Sequence, residues 1–204
     1  MNYADIDPAK KAFIFELDDV LYPKKDYDLQ VYYLFAAFLE FQEAFPPAND
    51  LVTFLKKAYE NQGPGRIFEK AQEVFGFDSK YKENFERLHR EARLPLKLLL
   101  FHNVLTLLQE MVVDRKQLFI VTSGNTEQQL NKIKQIEWHG LENYMKVYFA
   151  DEIRPKPDVD VLTFLMQENK LTSSGMLLFG HESTDVAFAS AAGIEYLAIQ
   201  SFIE

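Results

Sequence analysis

Four short stretches of this chain end apolar runs with side chains able to do chemistry together. The first is Glu16-Leu17-Asp18, two carboxylates that follow the run Ala12-Phe-Ile-Phe15. Residues two apart on an extended backbone point the same way, so both carboxylates can gather around one ligand. The second is Thr122-Ser123-Gly124-Asn125, a hydroxyl and a glycine turn opening a helix. Free backbone N–H groups and the helix dipole suit such a turn to an anion, phosphate above all. The third is Lys156, held between Pro155 and Pro157. The fourth is Gly180-His-Glu-Ser-Thr-Asp185, where a histidine and two acids enter a helix. Each stretch taken singly also has a plain reading: Ser123, Asn125 and the acids of 182–185 as helix caps, Lys156 as a solvated loop residue.

Placing these residues together requires strands that end side by side. The run at 12–16, rich in aromatic and β-branched residues, reads as a strand covered on both faces. Gln117–Thr122, Lys146–Ala150, Met176–Gly180 and Ile194–Ile199 read the same way. Helices are predicted between them over 126–137, 158–169 and 183–192, the last closed by Gly193 at its C′ position. Strand alternating with helix predicts a doubly wound parallel sheet, whose ligands bind beyond the carboxyl ends of the strands. Between 23 and 116 no strand pattern is seen, and helices are predicted near 27–44 (capped by Asp26), 50–60, 65–75, 79–93 and 96–111. That block exceeds a crossover connection and predicts a helical insert.

Composition narrows the function. The chain has 204 residues, 48% of them hydrophobic, enough for a substantial core. Its formal charge of −9 argues against non-specific binding to nucleic acid or an anionic membrane. Without cysteine there is no disulfide, thiol nucleophile or thiolate metal site. The opening MNYADIDPAKKAF has no secretory pattern, and no apolar run reaches membrane-spanning length. A cytoplasmic location is the default expectation. Oligomeric state leaves no mark on the sequence.

In this order the four stretches resemble the haloacid dehalogenase-like (HAD) hydrolase superfamily. Its first motif, a strand ending Asp-x-Asp, is matched by Glu16-Leu17-Asp18; its second, a strand ending in Thr or Ser, by Thr122; its loop lysine by Lys156. Its Gly-Asp-x-x-x-Asp motif is matched imperfectly by Gly180–Asp185, followed by Ala191-Ala192-Gly193. The resemblance implies an α/β fold, a doubly wound parallel sheet forming a Rossmann-like HAD core (1–22 plus 96–204), with an inserted α-helical cap of the C1 type at 23–95. Leu21-Tyr22-Pro23 is weakly similar to the pyrimidine 5′-nucleotidase branch.

The resemblance further implies hydrolysis of a small phosphorylated molecule through an acyl-phosphate. Glu16, Asp18 and Lys156 would be catalytic, Asp18 as general acid/base. Thr122, Ser123, Gly124 and Lys156 would bind phosphate, and Glu16, Asp18, His181 and Asp185 would hold Mg²⁺. Two positions depart from the pattern. Where the family has an aspartate nucleophile this chain has Glu16, whose extra methylene moves the carboxylate outward by roughly 1.5 Å. Where the family has an aspartate metal ligand it has His181, a poor substitute for a hard oxygen on Mg²⁺. The expectation is therefore a weak or inactive member. Two alternatives stand beside it: an active phosphatase using Mn²⁺ or another imidazole-tolerant ion, and a non-catalytic module that binds a phosphorylated ligand or a partner.

Overall fold

The computed structural model describes residues 2–203. In chain order its elements are β1 (Ala12–Phe15), α1 (Lys24–Glu43), α2 (Ala48–Gln62), α3 (Ile67–Phe75), α4 (Lys82–Glu91), β2 (Leu98–Leu99), α5 (His102–Val113), β3 (Gln117–Thr122), α6 (Thr126–Gln135), β4 (Ile136–Glu137), β5 (Met145–Phe149), α7 (Asp160–Asn169), β6 (Met176–Gly180), α8 (Ser183–Ala191), β7 (Glu195–Ala198) and α9 (Gln200–Ile203). Short 3₁₀ turns join several of them. The chain divides into two compact units, one from 1–23 with 98–204 and one from Lys24–Lys97.

The first unit is a parallel sheet in the order β5-β3-β1-β6-β7. All four residues of β1 are buried, as a central strand with helices on both faces requires. Alternation then sorts them. Ala12 and Ile14 join a core with Phe119, Val121, Leu178, Phe188 and residues of α7. On the same strand Phe15 stacks on Phe179 with ring centroids 4.8 Å apart. From β1 the chain runs to β3 and β5 on one side and later to β6 and β7 on the other, so the order reverses at β1. Register places Phe15 opposite both Ile120 and Phe179. The chain just beyond β1 therefore emerges between the ends of β3 and β6, at the switch point where open α/β sheets bind ligands.

The second unit is helical, with a core of aromatic rings. Tyr32, Phe35, Phe68, Phe77 and Phe85 pack with Leu39, Leu51 and Leu55, and Phe35 meets Phe85 edge-on at 5.0 Å. No helix among the described residues is long and apolar enough to cross a membrane.

Three local expectations fail. The helix predicted from 96 starts at His102, because Leu98–Leu99 pair as a short parallel strand with Ile136–Glu137. The Phe101 N–H is likewise committed to the Leu21 carbonyl at 2.9 Å, so tertiary pairing overrides a leucine-rich helical pattern. For the same reason α6 stops at Gln135, short of the expected 137. Asp26 is not a cap: α1 begins at Lys24, directly after Pro23, and Asp26 lies in its first turn, where its charge favours the helix start.

Candidate active site

Glu16 follows the last residue of β1, and its N–H donates to the Phe179 carbonyl of β6 at 3.1 Å. The side chain is 9% exposed. Thr122, the last residue of β3 and wholly buried, donates its hydroxyl to Glu16 Oε1 at 2.5 Å. Lys156 donates to Glu16 Oε2. The same ammonium reaches Asp185 Oδ1 at 3.1 Å and stands 5.1 Å from the centre of the Phe188 ring. Burial pushes the Glu16 carboxyl up from its ordinary pKa, against the opposing pull of Lys156, the Thr122 hydroxyl and the Leu17 backbone. Desolvation penalises the charged form more than these partners favour it.

Asp185 is 3% exposed and closes the start of α8. Its Oδ2 accepts from the His181 and Glu182 backbone N–H groups at 3.1 and 3.2 Å. Gly180 makes room for it. A Cβ at 180 would lie 2.5 Å from Asp185 Cβ and 2.7 Å from its Cγ. The glycine ending β6 is thus needed for close approach.

Asp18 lies two residues beyond Glu16, and both its oxygens are engaged. Tyr22 donates its hydroxyl to Oδ1 at 2.5 Å and Lys132 its ammonium to Oδ2 at 2.6 Å. Asp19 follows in the left-handed region at φ 57°, which turns the chain sharply after the acid pair.

His181 is set among carboxylates. Its Nε2 is 3.4 Å from Glu182 Oε1 and 4.0 Å from Asp19 Oδ2, and its Nδ1 is 4.0 Å from Asp185 Oδ2. The turn after β3 has Gly124 at φ 104°, and its N–H is bonded to Asp151 Oδ2 at 2.8 Å. A carboxylate of the chain itself thus sits on a donor expected for phosphate. Ser123 Oγ, Gln129 Oε1 and His181 Nδ1 are buried and have no hydrogen-bond partner among the described residues. Orphan polar atoms of this kind ask for a ligand or ordered water.

The structure brings Thr122, Lys156 and Asp185 onto or beside Glu16 and sets Asp18 on a separate lysine. Sequence reasoning missed Lys132 and Gln129. Both lie on α6, 2% and 5% exposed, while Leu130 on the same helix is 39% exposed. Gln129 Nε2 donates to Thr122 Oγ1 at 2.9 Å and to the Ser123 carbonyl at 2.8 Å. This helix turns polar side chains inward, reversing the amphipathic reading. Two polar residues three apart share one helix face, but Gln128 and Asn131 or Asn131 and Lys134 stand at the same spacing, so no sequence signal singled these two out.

The donors expected to hold Mg²⁺ do not fit it. Among the described residues no three His, Asp or Glu side chains gather as a metal site. The carboxylates of Glu16, Asp18 and Asp185 spend their oxygens on protein donors, lysine ammonium groups included. The remaining candidate, His181, is a nitrogen donor where Mg²⁺ favours oxygen.

A family model for haloacid dehalogenase-like hydrolases matches residues 13–199. No curated protein is significantly similar in sequence. Among solved structures, the HAD-hydrolase YfnB of Bacillus subtilis, crystallised with magnesium, aligns with a TM-score of 0.63 and 16% identity, covering 92% of this chain and 85% of its own. A structure from Thermotoga maritima described as a β-phosphoglucomutase aligns at 0.61 with 17% identity, covering 95% and 96%. A hydrolase from Streptococcus pneumoniae aligns at 0.54 with 18% identity, again covering 95% and 96%. At such identities the likeness is one of fold.

Proposed function

The chain belongs to the haloacid dehalogenase-like hydrolases, and from that premise we propose that it binds a small phosphorylated molecule and hydrolyses its phosphomonoester weakly or not at all. The observation that carries this reading is the convergence of Thr122 and Lys156 on the Glu16 carboxylate. A hydroxyl and an ammonium beside a carboxylate, at the switch point of a parallel sheet, suit the oxygens of a phosphoryl group and a nucleophile next to it. The unpartnered Ser123 Oγ and Gln129 Oε1 add polar capacity close by.

In the hydrolysis itself, a Glu16 oxygen would attack phosphorus and form an acyl-phosphate. The bond to the leaving oxygen would break, and Asp18 would protonate that oxygen. Water would then attack the phosphorus of the acyl-phosphate, its proton passing to the deprotonated Asp18, as the bond to the Glu16 oxygen breaks and releases inorganic phosphate and the free carboxylate. Lys156 would neutralise charge near the nucleophile, and Thr122 would orient the phosphoryl oxygens. The helical insert would act as the cap that selects the substrate.

Two features weaken this engine. The longer Glu16 side chain displaces the attacking oxygen, and an error of about 1 Å in placement costs on the order of 10²-fold. The imidazole of His181 stands where the resemblance implies a hard oxygen ligand.

The test is repair. We expect the wild type to turn over aryl phosphates and nucleotides poorly, and Glu16→Asp combined with His181→Asp to raise Mg²⁺-dependent turnover at least about tenfold. Each single change should recover little, since groups acting as one unit are strongly non-additive. Asp18→Asn in the repaired protein should abolish the gain. Rapid turnover by the wild type, unimproved by Glu16→Asp, would establish Glu16 as a working nucleophile and overturn the reading.

A further inference from the structure

Lys132 has no part in the reaction described above, yet it is 2% exposed. A lysine is almost never buried this fully unless it is paired, and its Nζ stands 2.6 Å from Asp18 Oδ2. Lys156 does the same for Glu16 and Asp185. All six oxygens of the three carboxylates then have protein donors: Thr122 and Lys156 on Glu16, Tyr22 and Lys132 on Asp18, Lys156 and two backbone N–H groups on Asp185. Three formal negative charges face two formal positive ones. A divalent cation needs both negative charge to balance its own and free hard oxygens; this cluster has one formal negative charge in surplus, short of the ion's two, and no carboxylate oxygen without a protein donor.

We propose that Lys132 takes the electrostatic place of a divalent ion, its ammonium occupying Asp18 and, with Lys156, keeping Mg²⁺ out of the site. The inference rests on the site reading above, in which these carboxylates form the reacting cluster. Lys132 is here a positioning residue: it acts through Asp18, and a merely structural lysine would leave the protein's response to Mg²⁺ unchanged on removal.

The experiment is thermal unfolding and calorimetry with millimolar MgCl₂ against matched ionic strength in NaCl. The wild type and Lys132→Arg, which keeps the charge, should show no Mg²⁺-specific change in Tm. Lys132→Met frees an Asp18 oxygen and a negative charge, and should gain a Mg²⁺-specific rise of about 5 °C or more. Lys132→Gln, which can still hydrogen-bond Asp18, replaces the methionine variant if that one does not fold. Millimolar or tighter Mg²⁺ binding by the wild type would overturn the proposal, and so would a folded, uncharged variant without the rise. Rapid phosphomonoester turnover by metal-free wild type would instead overturn the weak-enzyme reading and leave this inference standing.

Discussion

At Gly180 a hydrogen atom is all the space allows. The Cβ of an alanine would lie 2.5 Å from Asp185 Cβ, an atom fixed to the first turn of α8 that cannot swing aside like the tip of a long side chain. Asp185 would have to move, taking with it the bonds to two backbone N–H groups and to Lys156. Overpacking costs about 1–3 kcal/mol, and weakening a buried ion pair adds to that. Gly180→Ala should therefore lose at least about 2 kcal/mol in urea unfolding, and a loss under about 0.5 kcal/mol would show that the contact is slack. The legibility of single residues follows the same physics. Glu16, Thr122 and Lys156 could be read because two of them end apolar strand runs and the third sits between prolines. Lys132 could not, because a lysine on a helix ordinarily lies in water, and only the fold turns it inward.

Elements were legible where they are buried on both faces. The strands at 12–15, 117–122 and 176–180 are apolar runs bounded by polar turns, and no other local structure competes for them. The leucine-rich stretch from 96 misled because periodicity reports which residues are apolar and is blind to where backbone donors find partners. Helix α6 misled differently. Its apolar Leu130 faces outward and its polar Gln129 and Lys132 face inward, an arrangement favoured by what those two side chains bond to at the strand ends. A contrast between neighbours tests this. Leu130→Gln should change stability by no more than about 0.5 kcal/mol, as exposed substitutions do. Gln129→Leu conserves bulk but strips a donor from Thr122 Oγ1 and from the Ser123 carbonyl, and should cost about 1–3 kcal/mol. If unfolding curves ranked the two the other way, the inward polar face of α6 would be wrong.

At the scale of the whole molecule, each unit has a buried apolar cluster of its own among the described residues, and these two clusters have no residue in common. One lies against the sheet, around Ile14, Phe119, Leu178 and Phe188. The other lies within 24–97, built on Tyr32, Phe35, Phe68 and Phe85. Phe35 is 1% exposed and meets three other rings, those of Phe68, Phe77 and Phe85, at 5.8, 6.0 and 5.0 Å. Truncating it to alanine removes a buried aromatic and opens a cavity, a change that costs about 3–5 kcal/mol in well-packed cores. Where the loss is felt depends on how the cores are coupled. Proteins open in cooperative units, and a unit's own packing sets its opening free energy. Phe35→Ala should therefore speed amide hydrogen exchange throughout α1, α2, α3 and α4. Under native conditions, exchange in β1, β3 and β6 should stay close to that of the wild type. The measurement is exchange followed by mass spectrometry on peptides from both units. Equal acceleration in the β1 peptide would mean that the two cores open together, and the division into units would then describe geometry without describing stability.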